Sequence, residues 1–364
     1  MAREIELKLS IDPQQAAAFM ALPLLAESDS GACQRLSNQY FDTPDRLLAQ
    51  HRVALRIREQ GERYIQTLKT RGSSRGGLHQ RNEWEWDLPT PELDYSLLAT
   101  ADWPEALQGS EVQRRIVPAF STDFERTSWM LRPQSTGGEQ ALIELVLDRG
   151  LVSATAAGAA AVTTALCELE LELKQGSAAD LYSVAMILAE AVPVLLSDIS
   201  KAERGYRLLG AMDERPEAPL HPAELNSEDT FTALAQRALT RASRGLDGWR
   251  GSLSLDPGMA QCMARDWSGA ESAAAACLEL QTLLHCFSAL LPLTAELQAP
   301  LAQLCQALER ALGWRRLQPR FDKAAGEVWA RAQAPVAAGQ LDALLKDPAT
   351  GRVLLGFGAL LQRL

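Results

Sequence analysis

The chain has 364 residues, an apolar fraction of 47% and a formal net charge of −10. That length accommodates two domains, each with its own core, and that composition suits a folded soluble protein rather than a disordered one. The acidic balance argues against a nucleic-acid partner, while leaving room for a local basic site.

No apolar run approaches about 18 residues and no signal-type h-region opens the chain, so neither a membrane partner nor export is expected. Six cysteines show no CxxC or Cys/His zinc spacing. Cys33 and Cys167 stand alone, while Cys262, Cys277, Cys286 and Cys305 fall in apolar helical sequence and are expected to be buried thiols. This fits a reducing cytoplasm.

In chain order, the first half reads as strands of period two: "REIELKLSI", "RLSNQYFDT", "VALRIREQ", "RYIQTLKTR", "QRNEWEWDL", "TSWMLR", "QALIELVLD" and "ALCELELELK". Gly61, "RGSSRGG" and "STGG" supply turns. Asp12-Pro13 opens a short helix, and "AADLYSVAMILAEAV" is a longer one. About eight strands with few parallel crossovers predict an antiparallel sheet closed into a barrel. "YFDTPD" reads as a structural turn in which Asp42 and Thr43 bond the backbone. "SKAE" at 200–203 reads as a capping box that places Lys201 in a first helical turn, a plausible anion site.

The strand faces segregate charge. Glu4, Glu6 and Lys8 share one face of the first strand, and Ile5, Leu7 and Leu9 the other. Alone, such a strand is ordinary, with its polar face in water. Arg56 and Arg58, then Arg81, Glu83 and Glu85, and finally Glu168, Glu170 and Glu172 repeat the pattern, each against bulky apolar neighbours. Aligned like charges repel, and surface sheets usually mix signs. If the apolar faces turn outward to helices, the charged faces line the barrel. Such an interior needs compensating charge. A polyanion on the basic side, bridged to the glutamates by divalent cations, supplies it most simply.

These residues resemble the CYTH family, the triphosphate tunnel metalloenzymes. The family's N-terminal ExExK strand corresponds to Glu4, Glu6 and Lys8. The match continues in order through "YFDTPD", "LRIR" at 55–58, "LK" at 68–69, "RNEWE" at 81–85, "FERTSW" around Arg126, "LDRG" with Asp148, "ELELELK" at 168–174 and "SKAERGYRLL" from Ser200. The resemblance covers roughly residues 1–212. It implies an eight-stranded tunnel that binds a triphosphate end-on with Mg²⁺ or Mn²⁺. It implies Glu4, Glu6, Asp148, Glu168 and Glu170 as metal ligands, and Lys8, Arg56, Arg58, Lys69, Arg81, Arg126 and Lys201 as phosphate clamps. Glu168 and Glu170 are the candidates for holding and deprotonating the attacking water. Taken without the resemblance, Arg126 reads as a surface arginine, Asp148 equally as a turn former or a site acid, and His51 and His79 as surface histidines.

From about residue 214 the pattern changes. A Pro- and Glu-rich stretch, 213–226, reads as a linker. Residues 227–364 show Ala and Leu at i, i+3, i+4 spacing, a bundle of about five or six helices. The architecture resembles bacterial CYTH–CHAD proteins, with this half shortened or degenerate. Its basic candidates are Arg237, Arg241 and Arg244 on one helix face, and Arg315, Arg316 and Arg320. A solvated basic face is the plainer reading, so polyphosphate contact there is expected to be weak.

The expected activity is metal-dependent hydrolysis of inorganic triphosphate, with a small-molecule substrate. The alternatives are a class IV-like adenylate cyclase, a nucleoside or thiamine triphosphatase, and a non-catalytic polyphosphate-binding scaffold.

Overall fold

The computed structural model describes residues 2–31, 33–134, 140–155, 160–210, 227–251, 265–287 and 295–364. The linker stretch 213–226 and Cys262 lie outside these residues.

Eight long strands build the barrel: β1 (Ala2–Ile11), β2 (Gln34–Asp42), β3 (Ala54–Gln60), β4 (Arg63–Lys69), β5 (Leu78–Leu88), β6 (Val117–Leu131), β7 (Leu142–Ala154) and β8 (Val162–Gln175). Neighbours run antiparallel in the order β1, β8, β7, β6, β2, β3, β4, β5, and β5 pairs back onto β1, closing the sheet. Every stretch read as a strand from its alternation is one of these eight. Asp29–Ser30 adds to β6, Ser73–Arg75 to β5, and β9 (Val194–Leu196) to β1.

Register turns the alternation into rows. Lys8 stands opposite Glu170 and Ser10 opposite Glu168 on β8. Glu168 faces Asp148 on β7, and Asp148 faces Arg126 on β6. On the other side Glu4 stands opposite Arg81 of β5. The outward residues Leu7, Leu9, Leu145, Leu147, Leu169 and Leu171 are fully buried. They pack under α1 (Ala178–Ala191), whose Leu181 and Leu188 join the same cluster.

The "YFDTPD" turn is structural, as its composition predicts. Asp42 accepts from the backbone N–H groups of Thr43, Leu48 and Ala49 and from the Tyr206 hydroxyl, and Thr43 Oγ1 accepts from Leu47 N. Tyr206 lies on α2 (Lys201–Leu208) and packs among Leu36, Tyr40, Phe120, Phe124, Val152 and Leu166. These side chains share the inward parity of the site residues, so this end of the barrel is filled and α2 closes it. Gly205 makes the approach possible, because a Cβ there would collide with the Phe120 ring. The capping box on α2 is half formed. Ser200 Oγ accepts from Glu203 N at 3.1 Å, while the Glu203 carboxylate turns to Arg207 and Arg244.

Five helices of the second half lie within the described residues: α3 (Ser227–Gly251), α4 (Trp267–Phe287), α5 (Ala295–Leu317), α6 (Lys323–Leu345) and α7 (Pro348–Arg363). Trp249, Trp267 and Trp314 stack edge to face at the centre. The expectation of a separate core for each half is corrected. One apolar cluster runs from the outer wall of β1 through α1 and α7 to the tryptophans, because the barrel's apolar face needs a cover that α1 alone does not provide. Cys286 is also corrected: Cys277 is buried and Cys305 half-buried, but Cys286 sits on the exposed face of α4.

Candidate active site

Every site residue named from the sequence faces the barrel interior or its closed end. Most of them line one cavity of about 2480 Å³. They fall into three groups that the linear pattern does not separate.

The first group is acidic. Asp148, Glu168 and Glu170 offer carboxylate oxygens within 4.8 Å of one another. Asp148 and Glu168 are 0% and 1% exposed. Lys201 reaches in from the first turn of α2 and places its ammonium 2.6 Å from Asp148, 2.6 Å from Glu168 and 2.9 Å from Glu170. Arg126 forks onto Asp148 at 2.8 and 2.7 Å and reaches Glu170 at 2.8 Å. Lys8 bonds Glu170 and lies 3.2 Å from Glu6. Burial opposes ionisation here, but Lys201, Lys8 and Arg126 outweigh it and hold Glu170 well below the usual carboxylate range. The three carboxylates in return push Lys201 up against the effect of its own burial.

The second group holds Glu4 and Glu6 apart from that cluster. Lys69 bonds Glu4 at 3.0 Å and Glu83 at 3.1 Å. Arg81 donates Nε to Glu4 at 2.8 Å and Nη2 to Glu6. Burial would raise the Glu4 carboxyl, yet Lys69 and Arg81 together hold it down.

The third group is basic. Arg56 is buried, 3.5 Å from the Tyr40 hydroxyl and 3.8 Å from Glu83. Arg58 donates Nε to Asn38 at 3.0 Å and has no carboxylate within 4.0 Å among the described residues. Burial, then Arg56 and Arg126, push its pKa down to about 10. Its nearest counter-charge among the described residues, Glu85, acts only from beyond bonding range.

An oxygen set of this kind suits a hard divalent cation. Two observations fit: the Lys201 ammonium already occupies a cation's place among three carboxylates, and Glu168 Oε2 is buried with no hydrogen-bond partner among the described residues.

Sequence reading missed several members. Arg204 stands one helical turn after Lys201 in "SKAERGY", and its Nε lies 3.6 Å from Glu168 Oε2. That spacing was a usable signal. Glu144, paired with Lys174, faces inward at the row of Glu172. His79 is not a surface histidine: register places it beside Glu6, and its Nε2 lies 3.1 Å from Asp198. The face carrying Arg237, Arg241 and Arg244 is not simply solvated either. It lines the same cavity, with Arg241 on Glu279 and Arg244 on Glu203.

No helix among the described residues is long and apolar enough to cross a membrane. The profile of the CYTH domain matches residues 2–206. An inorganic triphosphatase of Haemophilus influenzae is 35% identical over 215 residues, covering 58% of this chain and 56% of that protein. This chain thus spans about half the length of the curated relative it matches. Among solved structures, a Hippeastrum protein described as an adenylyl cyclase with a dominant triphosphatase activity is 17% identical, covering 59% of this chain and all of that one, with a TM-score of 0.35. An adenylate cyclase candidate from Bacillus halodurans is 18% identical, covering 52% of this chain and 90% of that one, with a TM-score of 0.30.

Proposed function

Because the chain belongs to the CYTH family, we propose that its barrel binds inorganic triphosphate and hydrolyses it to diphosphate and phosphate with a divalent cation, Mg²⁺ or Mn²⁺. The observation that carries this reading is Arg58. It lies beside Arg56 with no carboxylate within 4.0 Å among the described residues, and burial pushes its pKa down to about 10. A half-buried cation whose near partner is a neutral amide lacks counter-charge at close range, and a bound anion supplies it.

A triphosphate carries about four negative charges, which suits arginine forks and lysine point charges together. Arg56, Arg58 and Arg126 would bind phosphate oxygens, with Lys8, Lys69, Arg81 and Lys201 completing the clamp. Asp148, Glu168 and Glu170 would hold the cation, with Glu4 and Glu6 contributing from the β1 side. When bound, the cation supplies charge neutralisation and a water of lowered pKa. Phosphoryl transfer needs little covalent help, so in-line placement and neutralised charge are what the clamp must provide. Glu168 and Glu170 would hold the attacking water. Glu170 is held ionised by its three cations, so it can accept a hydrogen bond from that water.

On this reading the helical half, 227–364, is a shortened CHAD-like unit joined through 213–226. Its Arg237, Arg241 and Arg244 face lines the cavity where a longer polyphosphate would touch.

The test is phosphate release from tripolyphosphate, ATP and thiamine triphosphate, each with Mg²⁺ and with Mn²⁺. Tripolyphosphate is expected to turn over fastest. Cyclic AMP from ATP with tripolyphosphate untouched would overturn the reading in favour of a cyclase. Binding without phosphate release would overturn it in favour of a scaffold.

A further inference from the structure

Asp247 joins the helical half to the barrel. It lies on α3, is 2% exposed, and accepts at Oδ2 from Ser197 Oγ at 2.7 Å and from Arg204 Nη2 at 3.1 Å. Ser197 follows β9 and Arg204 lies on α2, so both of these partners come from the barrel side. A buried carboxylate is costly without such partners.

The same guanidinium also approaches the acidic cluster. Arg204 Nε is 3.6 Å from Glu168 Oε2. Neither atom has a hydrogen-bond partner among the described residues. A free donor and a free acceptor therefore face each other just outside bonding range. Asp247 holds the neighbouring Nη2 of that guanidinium.

We propose that Asp247 is a positioning residue, which acts through Arg204 to keep Glu168 Oε2 open to a divalent cation. This rests on the reading of Glu168 as part of the cation-holding set. Only two carboxylates lie within 4.0 Å of Arg204 among the described residues, Asp247 and Glu168. Without Asp247, the guanidinium closes on Glu168. An arginine–carboxylate pair then occupies the oxygen that the cation would use. The helical half thereby sets the cation affinity of the barrel, with no group of its own touching the cation.

The experiment titrates Mn²⁺ alone into the full chain and follows free Mn²⁺ by electron paramagnetic resonance, with no substrate and no turnover. Asp247→Asn retains an amide acceptor for Ser197 but removes the charge that holds Arg204, and is expected to weaken Mn²⁺ binding by about tenfold, the lower range for loss of an outer partner. Adding Arg204→Gln to that variant is expected to restore affinity to within about threefold of wild type. A loss of packing would not be rescued by removing a second member of the network. Unchanged affinity in Asp247→Asn, or a double variant as weak as the single, overturns the proposal. If Asp247→Asn does not fold, Arg204→Gln alone decides: binding no weaker than wild type supports the competition, and weaker binding overturns it. A wild-type chain that binds no Mn²⁺ overturns the cation reading as well. Wild-type binding indifferent to Asp247 overturns this inference alone.

Discussion

On the β1, β7 and β8 side of the interior, each inward carboxylate has a cation within 4.0 Å. Glu4 has Lys69 and Arg81, Glu6 has Lys8 and Arg81, and Asp148, Glu168 and Glu170 share Lys201. On the β2 and β3 side, Arg58 bonds only the Asn38 amide oxygen among the described residues. Folding accounts for the first arrangement, because a buried charge is tolerable when paired. It does not account for the second. On the proposed function, the guanidinium short of counter-charge is where a ligand's charge would belong, and the matched side is where a metal cation would replace the protein's own.

The largest expected effect tests the matched side. Glu170→Gln leaves Lys8, Lys201 and Arg126 facing one another with less negative charge between them. Turnover is expected to fall by at least about 100-fold, the scale of losing one charge-stabilising group. Glu4→Gln is expected to abolish cation-dependent turnover as well. Phosphate release checks both, with circular dichroism to show that the fold persists. Full activity in either variant would remove that residue from the site.

The next test addresses the unmatched side. Arg58→Lys keeps the charge but loses the planar fork. Its KM for tripolyphosphate is expected to rise by about tenfold or more, in line with the loss of a charge-assisted bond. The thermal stabilisation that tripolyphosphate gives the wild type should shrink in parallel. An unchanged KM would break the contrast between the two sides.

A smaller effect concerns the helix that closes the barrel. Gly205→Ala forces α2 off the Phe120 ring and is expected to cost about 1–3 kcal/mol, the usual range for overpacking. Chemical denaturation measures it. Because Lys201 rides on the same helix, activity should fall further than stability alone explains.

The gentlest perturbation is pH. Glu4, Glu6, Asp148 and Glu170 all ionise more readily in the folded chain than is usual, since their cations outweigh their burial. A depressed folded pKa contributes stability that is fully present above the unfolded value, about 4 for carboxylates, and is lost as pH falls through the folded value. The melting temperature should therefore hold steady from neutrality to about pH 4 and decline below it. A flat profile down to about pH 2 would mean the pairs add nothing.

Much of the site was legible in the residues themselves. Period two is a property of one strand, so the inward or outward sense of Glu4, Glu6, Lys8, Arg56, Arg58, Glu168 and Glu170 follows from local backbone geometry once closure is assumed. The Asp42 turn was legible for the same reason, since its backbone partners lie within seven residues. Asp247 was not, because nothing in an amphipathic helix announces that one acid will meet an arginine 43 positions earlier. The continuous apolar cluster joining the two halves was hidden likewise, since periodicity shows that a face is apolar and not what covers it.

The sequence by itself determined a charged interior, an apolar exterior, a strand-rich first half and a helical second half. Only the tertiary structure decided which charges meet. It placed Lys201 among three carboxylates, set Glu4 on Lys69 and Arg81 and Glu6 on Lys8 and Arg81, and left Arg58 with no acid in bonding range among the described residues. The physical reason is range. Side-chain parity is settled within two residues, whereas the partner of a charge is settled by strand register, barrel closure and the docking of α2 and α3, which bring together groups far apart in the chain.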